Sequence, residues 1–139
     1  MVIKALKLLV AYQSEQKDKG GDSYILHPIR LALRLDNEIE RAAALLHDII
    51  EDTDCDYKTL KRHGITEEVI DIIKILTHKK EESYYDYISK IKSSNNTIAI
   101  KIKQLDLIDN MDLSRLNNIT EKDLKRIEKY TEAFKMLLA

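Results

Sequence analysis

The feature that most restricts what this chain can become is the run from Ala42 to Thr53, Ala-Ala-Ala-Leu-Leu-His-Asp-Ile-Ile-Glu-Asp-Thr, in which four ionisable residues close an otherwise apolar segment. On a helix turning about 100° per residue, with His47 at zero, Asp48 falls at about 100°, Glu51 at about 40° and Asp52 at about 140°. The four therefore share one face, while Ala42, Ala43, Leu45, Leu46, Ile49 and Ile50 occupy most of the remainder. Such a helix belongs in a core and aims its polar quartet into a cleft. Three carboxylates crowded around one imidazole repel one another, and their burial is costly unless a cation compensates the charge. A metal ion is the simplest compensating cation.

Composition bounds the fold. Only three glycines and one proline interrupt 139 residues, of which 34% are charged and 44% hydrophobic, so helices joined by short loops are expected. The length suits one domain, residues 1–139, with a single core. A net charge of -1 gives no global pull toward nucleic acid or an anionic membrane, and neither is expected as a partner. The one cysteine, Cys55, excludes an internal disulfide and suits a reducing cytoplasm, the expected location. It has no partner motif and reads as incidental. No segment approaches the roughly 18 to 20 apolar residues of a spanning helix.

Taken in order, the chain predicts an all-α bundle of about seven or eight helices. Ile3, Leu6 and Val10, with Leu9 beside them, form the apolar stripe of a first helix over residues 3–12. Residues 13–23, with Gly20-Gly21 among polar neighbours, read as a loop, either plain solvated surface or the rim of an anion site. His27-Pro28 opens the second helix, whose buried side is Ile29, Ala32, Leu33 and Leu35. Asp36 or Asn37 caps the third, which carries the quartet to about Glu51. Asp56 caps a short helix over 57–62 that stops before Gly64, and Thr66 begins another with Ile65, Val69, Ile72, Ile73 and Leu76 apolar. A helix follows Ser83 through Ile91. Residues 97–108 fit either a strand (Ile98, Ile100, Ile102) or a helix (Ile98, Ile102, Leu105, Ile108), and a lone strand would have no partner, so helix is expected. A last helix runs from Thr120 to Leu137 or Leu138.

A second constellation lies in that penultimate helix. Asp106 and Asn110 stand one turn apart, and Asp106 sits on an apolar face where an unpaired carboxylate would be expensive. Lys103 one turn earlier offers a structural ion pair as the plain alternative. Together His27, His47, Asp48 and Asp106 would supply two imidazoles and two carboxylates, a mixed shell suited to Mn²⁺, Fe²⁺, Zn²⁺ or Mg²⁺. Spacing does not choose among these metals.

The segments Tyr24-Ile25-Leu26-His27-Pro28, Ala44 to Thr53 and Lys103 to Met111 together resemble the HD-domain hydrolases, most closely the hydrolase domain of RelA/SpoT-type proteins and the small alarmone hydrolases. The resemblance spans nearly the whole chain in the right order. It implies an HD helical bundle and a nucleotide phosphohydrolase that removes the 3′-pyrophosphate of ppGpp with Mn²⁺. It further implies His27, His47, Asp48 and Asp106 as metal ligands, Glu51 and Asp52 as the acids that position or deprotonate the attacking water, and Lys19 and Asn110 as substrate contacts. A nucleoside monophosphate or other nucleotide as substrate, or a non-catalytic nucleotide-binding module, are the alternatives.

Three departures bear on the substrate. The family's Arg-Lys pair falls on Asp18-Lys19. Its Asp-Arg-Leu-His-Asn-Met reads here Asp106-Leu107-Ile108-Asp109-Asn110-Met111, and Asp112 follows where arginine is usual. Acids in place of bases weaken attraction for a polyphosphate. His78, Lys79, Lys80 and the Tyr84/Tyr87 pair are the substitutes that the sequence offers, although His63 and His78 taken alone read as surface residues, Tyr84, Tyr85 and Tyr87 as packing, and Arg115 as surface or support.

Overall fold

Helix initiation follows short polar side chains that take the free N–H groups of each first turn. Asn37 accepts from Glu40 N at 2.9 Å, Asp56 from Thr59 N at 2.8 Å, Ser83 from Asp86 N at 3.0 Å and Asn96 from Ala99 N at 3.0 Å. A computed structural model describes residues 1–138, and among them nine helical segments form: α1 (Val2–Gln13), α2 (Leu26–Leu33), α3 (Glu38–Leu45), α4 (Ile49–Asp52), α5 (Tyr57–Arg62), α6 (Glu67–Leu76), α7 (Tyr84–Ser93), α8 (Thr97–Asn110) and α9 (Glu121–Leu138). The fold is all-α. The ambiguous stretch after Asn96 is helical, and Gly64, with φ +85°, closes the turn after α5.

α3 lies at the centre, packed against α1, α2, α6 and α8, while α9 covers α7 and α8. Its side chains explain the position. Ala42, Ala43 and Ala44 are fully enclosed, small enough to let four helices approach, and Leu45 and Leu46 fill the space beyond them. α6 buries Val69, Ile70, Ile72, Ile73 and Leu76, as its spacing implies. The polar segment between α1 and α2 is a loop drawn back on itself by an antiparallel bridge between Lys17 and Ser23. No helix among the described residues is long and apolar enough to cross a membrane.

Two expectations are corrected. In α1 the buried stripe is Ala5, Leu8 and Leu9, whereas Ile3 and Val10 are exposed, and in α2 Leu31 is buried while Leu33 points outward at 75% exposure. Each stripe is rotated by about one residue, because several apolar residues offer overlapping faces and tertiary packing selects one.

The larger correction concerns the quartet. The helix does not continue to Glu51: it ends at Leu45, Leu46 to Asp48 form a turn, and α4 restarts at Ile49. The His47 ring causes a competition at the break, since its Nδ1–H donates to the Ala44 carbonyl at 2.6 Å, the acceptor that a continuing helix would assign to the amide of Asp48. Backbone bonding tightens accordingly, with His47 N donating to Ala44 O at 3.4 Å and Ile49 N to Leu46 O at 3.1 Å.

Leu46→Ala at this junction should cost about 2–5 kcal/mol in urea unfolding, the range for emptying a filled core site. Leu33→Ala should stay within about 0.5 kcal/mol because its side chain already meets water. Equal losses at the two positions would contradict the packing described.

Candidate metal centre

The turn at residues 46–48 brings His47 and Asp48 under the first turn of α2 and the middle of α8. His27 Nε2 lies 2.9 Å from Asp106 Oδ1, His47 Nε2 lies 3.4 Å from the same oxygen, and His47 Nε2 lies 3.2 Å from Asp48 Oδ2. The rings of His27 and His47 meet edge to face at 5.3 Å between centroids. His27, His47 and Asp48 each offer a ligand atom, and these atoms all lie within 4.8 Å of one another.

Hydrogen bonds at the remote ring nitrogens decide what the near ones present. Because a carbonyl can only accept, His47 must carry a proton on Nδ1 to bond Ala44 O, so in the neutral ring the lone pair sits on Nε2. That Nε2 is buried without a hydrogen-bond partner. An orphaned, inward-facing imidazole nitrogen beside two carboxylates is the observation that a cation fits. The donor set of imidazole nitrogen and carboxylate oxygen suits a divalent metal ion.

The electrostatics agree with the need for positive charge. Burial disfavours an imidazolium at His47, yet Asp48 and Asp106 raise its pKa well above the ordinary histidine value. Burial likewise opposes ionisation of Asp106, but Lys103, His27 and His47 hold it well below the usual carboxylate range. Lys103 is itself buried, donates to Asp106 Oδ2 at 2.8 Å and lies 5.0 Å over the Tyr87 ring. Asn110 Nδ2 donates to Asp106 Oδ1 at 3.1 Å. The ion pair offered as a structural alternative is thus present, and it leaves the Asp106 Oδ1 face toward the two histidines.

The cluster opens into a cavity of about 350 Å³. His27, Asp48 and Asn110 contribute to its floor, and Lys17, Asp18, Lys19 and Gly20 form one rim from the α1–α2 loop. Asp112, Leu113, Arg115 and Leu116 come from the segment after α8, and Asp123, Arg126 and Tyr130 from α9. Gly20 is required where the rims meet, because a Cβ there would stand 2.6 Å from the Arg115 carbonyl oxygen. Tyr24 lines the cavity and donates a short hydrogen bond to Asp48 Oδ2.

Lys19 and Asn110 therefore reach the cavity, whereas Glu51 and Asp52 do not line it. The helix break separates them from the pair they were expected to accompany. Glu51 Oε1 accepts from His78 N at 2.5 Å, and both acids lie at the surface end of α4. They still feel the centre: burial and then Asp48 raise the Asp52 pKa, and burial, Asp48 and Asp52 raise that of Glu51 against the hydrogen bond from His78.

The suggested substitutes sit elsewhere as well. His78 is half-buried rather than on the open surface, and it stacks on Tyr87 at 4.5 Å between centroids. Tyr87 is buried with its hydroxyl donating to Leu76 O at 2.5 Å. Neither His78, Lys79, Lys80, Tyr84 nor Tyr87 lines the cavity. Tyr24, Arg30, Arg126 and Tyr130 do, and sequence reading gave them no role. The i, i+4 spacing of Arg126 and Tyr130 on an amphipathic helix was the available signal, but nothing in it marked which face meets the site.

The three acidic departures are also placed. Asp18 Oδ1 accepts from Gly20 N at 2.9 Å and Asp22 N at 3.0 Å, tying the loop. Asp112 pairs with Arg115 at 3.2 Å. Asp109 accepts from Arg30 at 2.8 and 2.9 Å and from His27 Nδ1 at 2.6 Å. The charges of Asp109 and Asp112 are thus met by arginines, while Asp18 is held by neutral amides.

Among known proteins, the chain is 36% identical over 129 residues to the guanosine-3′,5′-bis(diphosphate) 3′-pyrophosphohydrolase of Aquifex aeolicus, covering 84% of this chain and 18% of that one. It is 28% identical over 141 residues to a probable enzyme of the same name from Mycoplasma pneumoniae, covering 93% of this chain and 19% of that one. The chain thus spans about a fifth of the length of the curated relatives it matches. In fold it is similar to a solved structure described as "A metazoan ortholog of SpoT hydrolyzes ppGpp and plays a role in starvation responses", with a TM-score of 0.82 at 20% identity over 99% of this chain and 85% of that one. The HD domain family matches residues 14–131, a span that begins just beyond α1 and takes in every side chain of the cluster, and the chain belongs to that family.

Proposed function

We propose that residues 1–139 form a divalent-metal-dependent pyrophosphohydrolase domain acting on a guanosine 3′,5′-bis(diphosphate)-like nucleotide. The observation that carries this reading is the unpartnered Nε2 of His47, buried beside Asp48 and Asp106 just behind a cavity that His27 and Asp48 line and whose rims bear Lys17, Lys19, Arg115 and Arg126. A cation-seeking floor facing basic rims suits a ligand with phosphates on one side and a polar ring on the other. Names of the relatives point the same way.

In this reading His27, His47, Asp48 and Asp106 hold the ion, with Mn²⁺ as the proposed metal and Fe²⁺, Zn²⁺ or Mg²⁺ as alternatives. A bound dication supplies Lewis-acid polarisation of a phosphoryl oxygen and lowers the pKa of water toward neutrality. Lys103 and Asn110 fix the Asp106 carboxylate, so that its orientation is set before any ligand arrives. Tyr24 does the same for Asp48.

Glu51 and Asp52 are assigned to proton transfer. Their raised pKa values make them better proton acceptors than ordinary surface carboxylates, which is what a general base requires. Lys19 and Asn110 contact the nucleotide, and Tyr24 and Tyr130 offer aromatic surface within the same cavity. A nucleotide substrate and a free, buried Cys55 fit a cytoplasmic setting.

Incubation of the Mn²⁺-loaded protein with a nucleotide panel tests the substrate: pyrophosphate released from ppGpp is the expected product, and orthophosphate from a monophosphate in its place would overturn the assignment. His47→Ala and Asp48→Ala should each lose bound metal and turnover together, and full activity in the double variant would refute metal dependence. Glu51→Gln should keep its metal and lower kcat by about 10²- to 10⁴-fold, the usual contribution of a positioned base. Unchanged kcat in Glu51→Gln and Asp52→Asn alike would remove the acids from the chemistry.

A further inference from the structure

The side chain of Asp109 stands behind the centre rather than in it. Its Oδ2 lies 2.6 Å from His27 Nδ1, and its two oxygens accept from Arg30 Nε and Nη2 at 2.8 and 2.9 Å. Arg115 adds a guanidinium 3.5 Å away and bonds the Asp109 carbonyl at 3.0 Å. A planar guanidinium gripping a carboxylate through two parallel bonds fixes the plane of that carboxylate as well as its position. The fixed oxygen then meets a ring that has few other ways to turn, since His27 is buried with Asp106 on its far side.

We propose that Asp109, held by Arg30, is the positioning residue of His27, and that the pair sets which nitrogen His27 turns toward the centre. Both carboxylates only accept, so in the metal-free protein His27 donates from Nδ1 to Asp109 and from Nε2 to Asp106; when a cation takes the place of the Nε2 proton, the bond to Asp109 keeps the remaining proton on Nδ1 and leaves the Nε2 lone pair to the ion. Without Asp109, His27 could carry its proton on Nε2 instead and bond Asp106 with it, closing the site to a cation. The backbone carbonyl of Ala44 does the same service for His47, so each histidine has its own remote anchor. Asp109 occupies a position where the family carries histidine, so its acidity here serves the neighbouring ligand rather than opposing the substrate. This assignment rests on the metal centre proposed above.

Two readouts separate the inference from that reading. In metal-free protein, a ¹⁵N-edited spectrum should show the Nδ1 proton of His27 far downfield, where its short bond to a carboxylate puts it. Asp109→Ala should lose that signal, while Arg30→Gln, which leaves Asp109 in contact, should keep it. By calorimetric titration with Mn²⁺, Asp109→Ala should bind about 10- to 100-fold more weakly than the unaltered protein, the usual cost of removing a histidine's outer partner. Arg30→Gln should lose less. Should Asp109→Ala fold poorly, Asp109→Asn, which retains an acceptor oxygen without the charge, is expected to keep the proton signal and to fall between the two in affinity. An unchanged Nδ1 signal in Asp109→Ala overturns the inference whatever the metal result. Loss of the signal in a protein that binds no Mn²⁺ before or after substitution upholds the positioning role and overturns the metal assignment.

Discussion

The negative charge buried at Asp106 is the constraint around which the other parts are arranged. A carboxylate in the interior of a helical bundle costs several kcal/mol unless every lone pair is met. Four side chains surround it: Lys103 and Asn110 come from its own helix, within hydrogen-bonding reach one turn away on either side, while His27 and His47 reach in from the first turn of α2 and the turn after α3. This hub ties three helices that are far apart in sequence. The lysine supplies one compensating charge, and the two imidazoles leave room for more. A helical core could be built more cheaply from leucine at every one of these positions, so the expense is explained by what the hub can bind.

The break between α3 and α4 is the second condition for the site. Had the helix run on, His47, Asp48, Glu51 and Asp52 would have formed one dense polar face against α2 and α8, with three carboxylates sharing one dry pocket. The turn divides them instead. His47 and Asp48 remain inside, and Glu51 and Asp52 pass to the edge, where partial burial first and repulsion from Asp48 second raise their pKa values. The turn also gives His47 an anchored ring, because the carbonyl of Ala44 freed at the break is the one that fixes its tautomer.

Much of this was legible in the chain itself, and the limits have physical causes. Helices with a cap and a clear apolar period, such as α5 after Asp56 and α6 with Val69, Ile72, Ile73 and Leu76, were readable because local chemistry and packing agree there. The chemical identity of the hub was readable from His47-Asp48 and from Asp106 on an apolar face. The break was not, since nothing in the helical period of Ala42 to Asp52 announces a side chain that competes for a backbone carbonyl. Leu33 and Leu31 are equally apolar, and only packing against α3 chooses between them. Arg126 and Tyr130 reach the cavity only because α9 folds back across the bundle, a long-range event with no local signature.

Charge illustrates the same limit most sharply. Along the sequence, Asp18, Asp109 and Asp112 replace expected bases or neutral groups and suggest a pocket hostile to phosphate. In space each is spent on a neighbour: Asp18 on the amides of its own loop, Asp112 on Arg115, and Asp109 on Arg30 and His27. At Asp109 and Asp112 the paired charges act as a dipole whose potential falls faster with distance than that of a single charge, so they project little field into the cavity. Lys17 and Lys19, which flank Asp18 on the rim, have no acidic partner within ion-pair distance among the described residues. The departures at Asp109 and Asp112 are thus met by Arg30 and Arg115 beside them, and the loop before α2 adds Lys17 and Lys19 to the same rim, so the acids read along the sequence do not by themselves make the cavity negative.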